Sequence, residues 1–339
     1  MPVLSGAYAA RRFRVSGNSD AANPTTAADA LEANAFPADW KGAGTKAGWV
    51  SVDNLLDAQF VGSRDWIIGS YYVFTMRSDS RQVSPVLLKA HVDKACEAWL
   101  KEHDRTRIPR EVKREIKENL TLDMVQKATP RTRTYDVCWD TGSGIVSFSG
   151  LSDILVDQFR MLFQGTFGCT LDPIHPMGEE VKLSDVSDFY LWLWWALENS
   201  VNLDVQDSTI EGRITLADTT ATTTIDAEVL QNVPEARLAA LNGKRPTSIK
   251  LSVTFNELAF AFTLQGSDID VVGLKIPDGS GEAKGQRFDR EATILDRMSL
   301  HEAVQDKVQT WVRTFEALQA AGWDAWMAAD CTPWLKGAV

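Results

Sequence analysis

Between residues 81 and 133 the chain gathers 13 lysines and arginines against 8 aspartates and glutamates, although its net charge is -11. Nine of these cations are candidates for phosphate contact, namely Arg105, Arg107, Arg110, Lys113, Arg114, Lys117, Lys127, Arg131 and Arg133. Guanidinium forks and ammonium groups spaced along a segment neutralise phosphate oxygens and release the counterions of a nucleic acid. From residue 134 onward there are 15 basic and 30 acidic residues. Such an asymmetry holds a polyanion along one face while the remaining surface repels it. Six acidic residues lie between 101 and 133, so the stretch also fits a solvated helix face with ordinary ion pairs.

Other chemistry is thinner. Pro277-Asp278 followed by Glu282-Ala283-Lys284 has the residue types of a Mg2+-dependent exonuclease, in which Asp278 and Glu282 would hold the metal and Lys284 would position the attacking water. That geometry needs the carboxylates on adjacent strands, and the three intervening residues leave no room for two paired strands. The string therefore reads as a solvated loop, with the exonuclease kept as the enzymatic alternative. His91, His103, His175 and His301 have no metal-ligand spacing. Cys96, Cys138, Cys169 and Cys331 form no C-x-x-C pair and read as small buried hydrophobes. No phosphate-binding glycine loop and no G-x-S-x-G elbow is present in the sequence. The expectation is a non-enzymatic protein without metal or cofactor.

Positioning the cations calls for helices. Ser84 followed by Pro85 marks a helix start, and Leu88, Val92, Ala95 or Cys96, and Trp99 follow at helical spacing. Residues 105–108 break that helix. Pro109 opens a second, with Val112, Ile116 and Leu120 on one face and Arg110, Lys113, Arg114 and Lys117 opposite. Ahead of this arm, 4–15 predicts a strand ending in Arg11, Arg12 and Arg14, 25–34 a helix capped by Thr25 or Thr26, 42–48 a loop and 66–76 a strand. Beyond it, 134–148 predicts a hairpin turning at Asp140 to Gly144. A helix over 153–163 should turn Ile154, Leu155, Phe159 and Leu162 inward, and 166–171 should be a strand.

The aromatic run 189–197 predicts a helix capped by Asp185 or Ser187. Trp192, Trp194 and Trp195 carry no Lys or Arg among them, which favours core packing or a dimer interface over base stacking. Strands follow at 212–216, 222–229 and 271–276, with a hairpin of 249–255 and 258–264 about Asn256-Glu257. Ser299 to Glu302 matches a capping box, opening a helix that closes near Gly322. The class is α+β, with antiparallel hairpins and a helical arm, in three parts: 1–80, the arm 81–133, and 134–339. The longest apolar run is less than half a membrane span, and no apolar leader precedes residue 17, so a cytoplasmic protein without a membrane partner is expected.

The order of these pieces resembles the RdgC family, recombination-associated proteins of bacteria. The resemblance is carried by Gly48-Trp49-Val50, by Ser84-Pro85-Val86 leading into the charged helix, by 128–133, and by the hairpin ending in Trp139-Asp140 and returning through Gly144-Ile145. It continues with the aromatic run 189–195, Asn242-Gly243-Lys244 before the long hairpin, and the terminal amphipathic helix. It spans nearly the whole chain. The resemblance implies an elongated chain forming a head-to-head homodimeric ring, with a basic inner wall that takes double-stranded DNA without sequence preference and limits RecA-dependent recombination. Nucleoid association, self-association and RecA as a further partner are implied with it. At two dimer contacts this chain differs: Thr129 stands where the family often has an aromatic residue, and Asp226-Ala227-Glu228 where it has a basic segment. A recombination scaffold that binds protein alone, through its acidic half, is the third reading.

Overall fold

Residues 3–4, 6–62, 64–178, 180–199, 205–227, 234–275 and 290–337 are described by the computed structural model. The first elements are β1 (Ala7–Tyr8), β2 (Arg11–Gly17), α1 (Pro24–Ala33), β3 (Gly44–Val50), β4 (Ile67–Ile68) and β5 (Tyr71–Arg81). Two helices, α2 (Pro85–Glu102) and α3 (Arg110–Lys127), precede β6 (Arg131–Asp140), β7 (Ile145–Phe148), α4 (Asp153–Phe167) and β8 (Cys169–Pro173). The strands form a seven-stranded antiparallel sheet in the order β3-β5-β6-β7-β2-β8, with β4 folded back on β5. Strands from before and after the two helices thus share one sheet. β5 and β6 pair directly from Tyr71 with Asp140 to Ser80 with Arg131, and the helices leave and return at one end of that ladder.

Alternation along these strands sorts the side chains onto two faces. One face sends Trp49, Phe74, Met76, Val137, Trp139 and Phe148 against Leu31 of α1 and Phe159, Phe163 and Phe167 of α4. The rings interlock: Trp49 meets Phe74 edge-on at 5.0 Å between centroids, and Phe148 stacks on Phe159 at 3.9 Å. Each such pair adds about 0.5 to 1.5 kcal/mol beyond the area it buries. The opposite face presents Val73 and Cys138, with Tyr8 and Ala10, to Ile294 and Met298 of the long helix described below.

Several expectations are corrected here. The cap of α1 is Asn23, whose side chain accepts from the Thr25 amide, with Pro24 at the first helical position. Residues 44–48 are strand rather than loop, because β5 offers a long edge to pair with. A Cβ at Gly48 would lie 2.5 Å from the Phe36 Cα, so this strand position excludes any side chain. The single strand over 66–76 is a tight β4–β5 hairpin turning at Gly69 (φ 59°). Helix α4 runs to Phe167 and ends on the left-handed Gly168, so strand β8 starts at Cys169. Phe159 turns inward as expected, Leu155 and Leu162 pack half-buried on the same core, and Val156, Phe163 and Phe167 join it, whereas Ile154 is 87% exposed because it lies about 200° round the helix from Val156.

The second half holds α5 (Leu183–Asn199), β9 (Ser208–Ala217), β10 (Thr222–Asp226), α6 (Pro234–Leu241), β11 (Arg245–Phe255), β12 (Leu258–Gln265), β13 (Asp270–Val272), β14 (Leu274–Lys275), α7 (Arg290–Trp326) and α8 (Thr332–Lys336). Five strands pair in the order β10-β9-β11-β12-β13. Helix α5 starts at Leu183, ahead of both expected caps, and is apolar nearly all round because the sheet and α7 enclose it. Trp192 and Trp194 are core residues, as expected, and Trp195 is half-buried beside Trp326. The Asn256-Glu257 turn has positive φ at both positions, 48° and 68°, the twist that a two-residue hairpin favours.

Helix α7 binds the halves together. Its first turns bury Ile294 and Met298 on the seven-stranded sheet, and Val304, Val308, Trp311 and Phe315 continue into the core of the five-stranded one. Ser299 lies inside this continuous helix rather than capping it, and Glu302 accepts from the Tyr71 hydroxyl at 2.7 Å instead of from a capped amide. The expected break at Gly322 is present, with φ 146° interrupting the helical backbone. Arg11 adds a polar tie: it pairs with Asp153 at 3.2 Å, Asp268 at 2.9 Å and Asp270 at 2.8 Å.

Candidate nucleic-acid interface

Helices α2 and α3 form a hairpin that packs on itself, and neither packs extensively against any other element. Pro85 starts α2 after Ser84, whose side chain makes no capping bond, and Pro109 precedes α3. The turn between them is made by Asp104 at φ 47°. Val92 and Cys96 on α2 and Val125 on α3 are buried, while Val112, Ile116 and Leu120 are half-buried between the helices. Two helices alone can bury only one stripe each, so the rest of the hairpin surface faces water and must be polar.

All nine candidate cations are exposed. At 3.6 residues per turn, Arg110, Lys113, Arg114 and Lys117 fall on one stripe of α3, while Glu111, Glu115 and Glu118 fall beside it and the apolar residues on the far side. Separation of the stripes is what keeps the interspersed acids from cancelling the cations. Arg114 reaches Glu118 at 3.9 Å, with both side chains open to solvent. Arg105 lies 5.9 Å from the Trp99 ring, on which His103 is stacked at 4.2 Å. Arg107, Arg110, Lys113, Lys117, Arg131 and Arg133 make no ion pair among the described residues.

The cations do not form a single cluster. Arg105 and Arg107 sit at the tip of the hairpin and Arg131 and Arg133 at its root, separated by the 18-residue α3, about 26 Å at 1.5 Å per residue. Lys127 is off the stripe and is paired with Asp123 at 2.7 Å. Helical rotation over the preceding turns carries it round to the side facing Ser84 and Leu87, where it lines a groove at the root.

The root holds a feature that sequence reasoning missed. On β6 the side chains of Arg131 and Arg133 share a face and stand opposite Ser80 and Ser78 of β5, and Thr45 of β3 stands opposite Ser80. These residues, with Ser152 ahead of α4, line a cavity of about 350 Å3. On the other face of the same strands the arginines are occupied. Arg77 grips Asp79 with two bonds of 3.0 and 2.6 Å, and Arg81 donates to the carbonyls of Gln126 and Trp40. Burial would raise the Asp79 carboxyl, but the Arg77 fork and the Thr132 hydroxyl hold it below the ordinary carboxylate range.

The remaining sequence candidates fall elsewhere. The string Asp278, Glu282 and Lys284 lies outside the described residues. Among the described residues no group of three His, Cys, Asp or Glu side chains could hold a metal ion. The four cysteines are free and buried. Arg11 of the first basic cluster is consumed by its three carboxylates. Of the two departures from the family pattern, Thr129 is exposed, and Asp226 pairs with Arg213 on the neighbouring strand; Glu228 lies outside the described residues. No described helix is long and apolar enough to cross a membrane. Neither a protein-family model nor a curated protein matches the chain.

Proposed function

We propose that this chain is a sequence-independent double-stranded DNA-binding protein, working as a homodimeric ring in the cytoplasm on nucleoid DNA and limiting access of RecA-type recombinases to the duplex. The observation that carries the reading is the projecting two-helix hairpin with an unobstructed stripe of cations on a chain of net charge -11. A stripe of that kind meets phosphates along a groove edge, and phosphate contacts position DNA without specifying sequence. The ordered resemblance to the RdgC family supports the ring and the recombination role. A ring also accounts for the acidic remainder, since only its inner wall must be positive.

The test is fluorescence anisotropy of a labelled duplex of about 30 base pairs in EDTA across a salt series, with the mass of the free protein measured by sedimentation. Binding that weakens log-linearly with salt and is indifferent to sequence, by a dimer, is the expected result. Absence of binding at low salt would overturn the DNA reading in favour of a protein-binding scaffold, and release of nucleotides on adding Mg2+ would favour the exonuclease.

A further inference from the structure

We propose that the cavity at the root of the hairpin is a binding site for a phosphate monoester on a nucleotide unit, as carried at the end of a DNA strand. The inference rests on the proposed DNA reading only for the carrier; the cavity argues for the phosphate by itself. Arg131 and Arg133, two residues apart on β6, turn their guanidinium groups to the same side of the sheet. Ser80 and Ser78 face them across the β5–β6 ladder, and Thr45 continues the row onto β3. Ser152 closes the rim with a hydroxyl that makes no capping bond to α4. No carboxylate lines the space.

The two faces of these strands differ in how their arginines are satisfied. Arg77 and Arg81 on the far side have protein acceptors, whereas Arg131 and Arg133 have no acidic partner among the described residues. Two forks side by side are the arrangement that grips phosphoryl oxygens in pairs. The volume, about 350 Å3, is at the lower end of small-molecule sites and larger than a bare anion needs. The wall beside the arginines is apolar: Leu155 is half-buried there and Ile154 is 87% exposed at the mouth. An exposed isoleucine next to a cationic floor suits a phosphate that arrives with a sugar attached. The arms of α2 and α3 spring from the same end of the ladder as the cavity.

Isothermal titration calorimetry of the full chain with the dinucleotide pTpT against unphosphorylated TpT tests this. The expected result is a preference for pTpT of about tenfold or more, lost in R131A/R133A, whose exposed positions leave the fold intact by circular dichroism. Thymidine 5′-monophosphate matching pTpT would keep the site and make a free nucleotide its ligand, while a clear advantage for pTpT would make it a strand end. Equal binding of pTpT and TpT, a preference that survives R131A/R133A, or inorganic phosphate binding as well as pTpT would overturn the proposal. A duplex with 5′-hydroxyl ends, titrated in parallel, reports on duplex binding alone, so its failure is distinguishable from failure of the cavity.

Discussion

Reversing the α3 stripe, with R110E, K113E, R114E and K117E together, separates an interface from a solvated helix face. The stripe spans eight residues of α3, Arg110 to Lys117, whose rise at 1.5 Å per residue is about 10 Å. Phosphates follow one another every 3.4 Å or so along a strand, so about three fall against it, and each contributes about 0.9 to the slope of log affinity against log salt. The wild-type slope should therefore exceed that of the variant by about 2.7 in magnitude. Between about 50 and about 200 mM salt, the wild type should lose about 40-fold more affinity than the variant does. Folding is a small confounder. All four side chains are exposed, and the ion pair lost, Arg114 with Glu118 at 3.9 Å, is of the kind that contributes at most about 1 kcal/mol. Added acids beside Glu111, Glu115 and Glu118 cost a few tenths of a kcal/mol per like-charged pair, so alanine at the same four positions provides the control. Anisotropy across the salt series is the assay. An unchanged slope with unchanged affinity in the reversed variant would refute the assignment of this stripe to phosphate contact.

Three further outcomes concern the scaffold. Glu198 accepts from Trp194 at 2.7 Å, from Trp334 at 3.1 Å and from Arg237 at 2.5 Å, so Glu198→Ala strands a nearly buried cation and two indoles and should cost about 3 to 5 kcal/mol in urea unfolding. Burial, assisted by Arg12, lowers the pKa of His301 from 6.5 to about 3. Its imidazole sits edge-on to Tyr8 at 4.9 Å and 3.4 Å from the Gln305 amide. The unfolded chain takes up a proton between those values and the folded chain does not, so this contribution is complete above about pH 6.5 and falls by about 2 kcal/mol by pH 5. His301→Gln should flatten that part of the stability profile in equilibrium unfolding at each pH. Glu257→Gly relieves a left-handed glutamate in the Asn256 turn and should stabilise by about 0.5 to 1 kcal/mol, read as a rise in the urea midpoint at constant slope.

The arm was legible because everything that makes it is local. Pro85 and Pro109 mark the helix starts, the apolar residues recur at helical spacing, and the charge is concentrated in one segment. The β6–β7 and β11–β12 hairpins were legible for the same reason, since alternation and a turn lie close together in sequence, whereas the tight β4–β5 hairpin read as one strand. What sequence left undecided depends on pairings between distant segments. Residues 42–48 carry no strand signal of their own, and 44–48 become part of β3 because β5 offers an edge. Ser299 followed by Glu302 has the local pattern of a cap, but Ile294 and Met298 are held against the sheet, and the helix continues through the pattern. Ile154 is apolar but lies about 200° of helical rotation from the buried Val156, so the packed stripe of α4 leaves it in water. The cavity at the root is the clearest case. Arg131 and Arg133 are separated from Ser78 and Ser80 by the whole length of the arm, and only the β5–β6 register places them face to face. Local propensity sets which segments are helix or strand; which cations lie unopposed over a cavity is set by register, and register is a property of the assembled sheet.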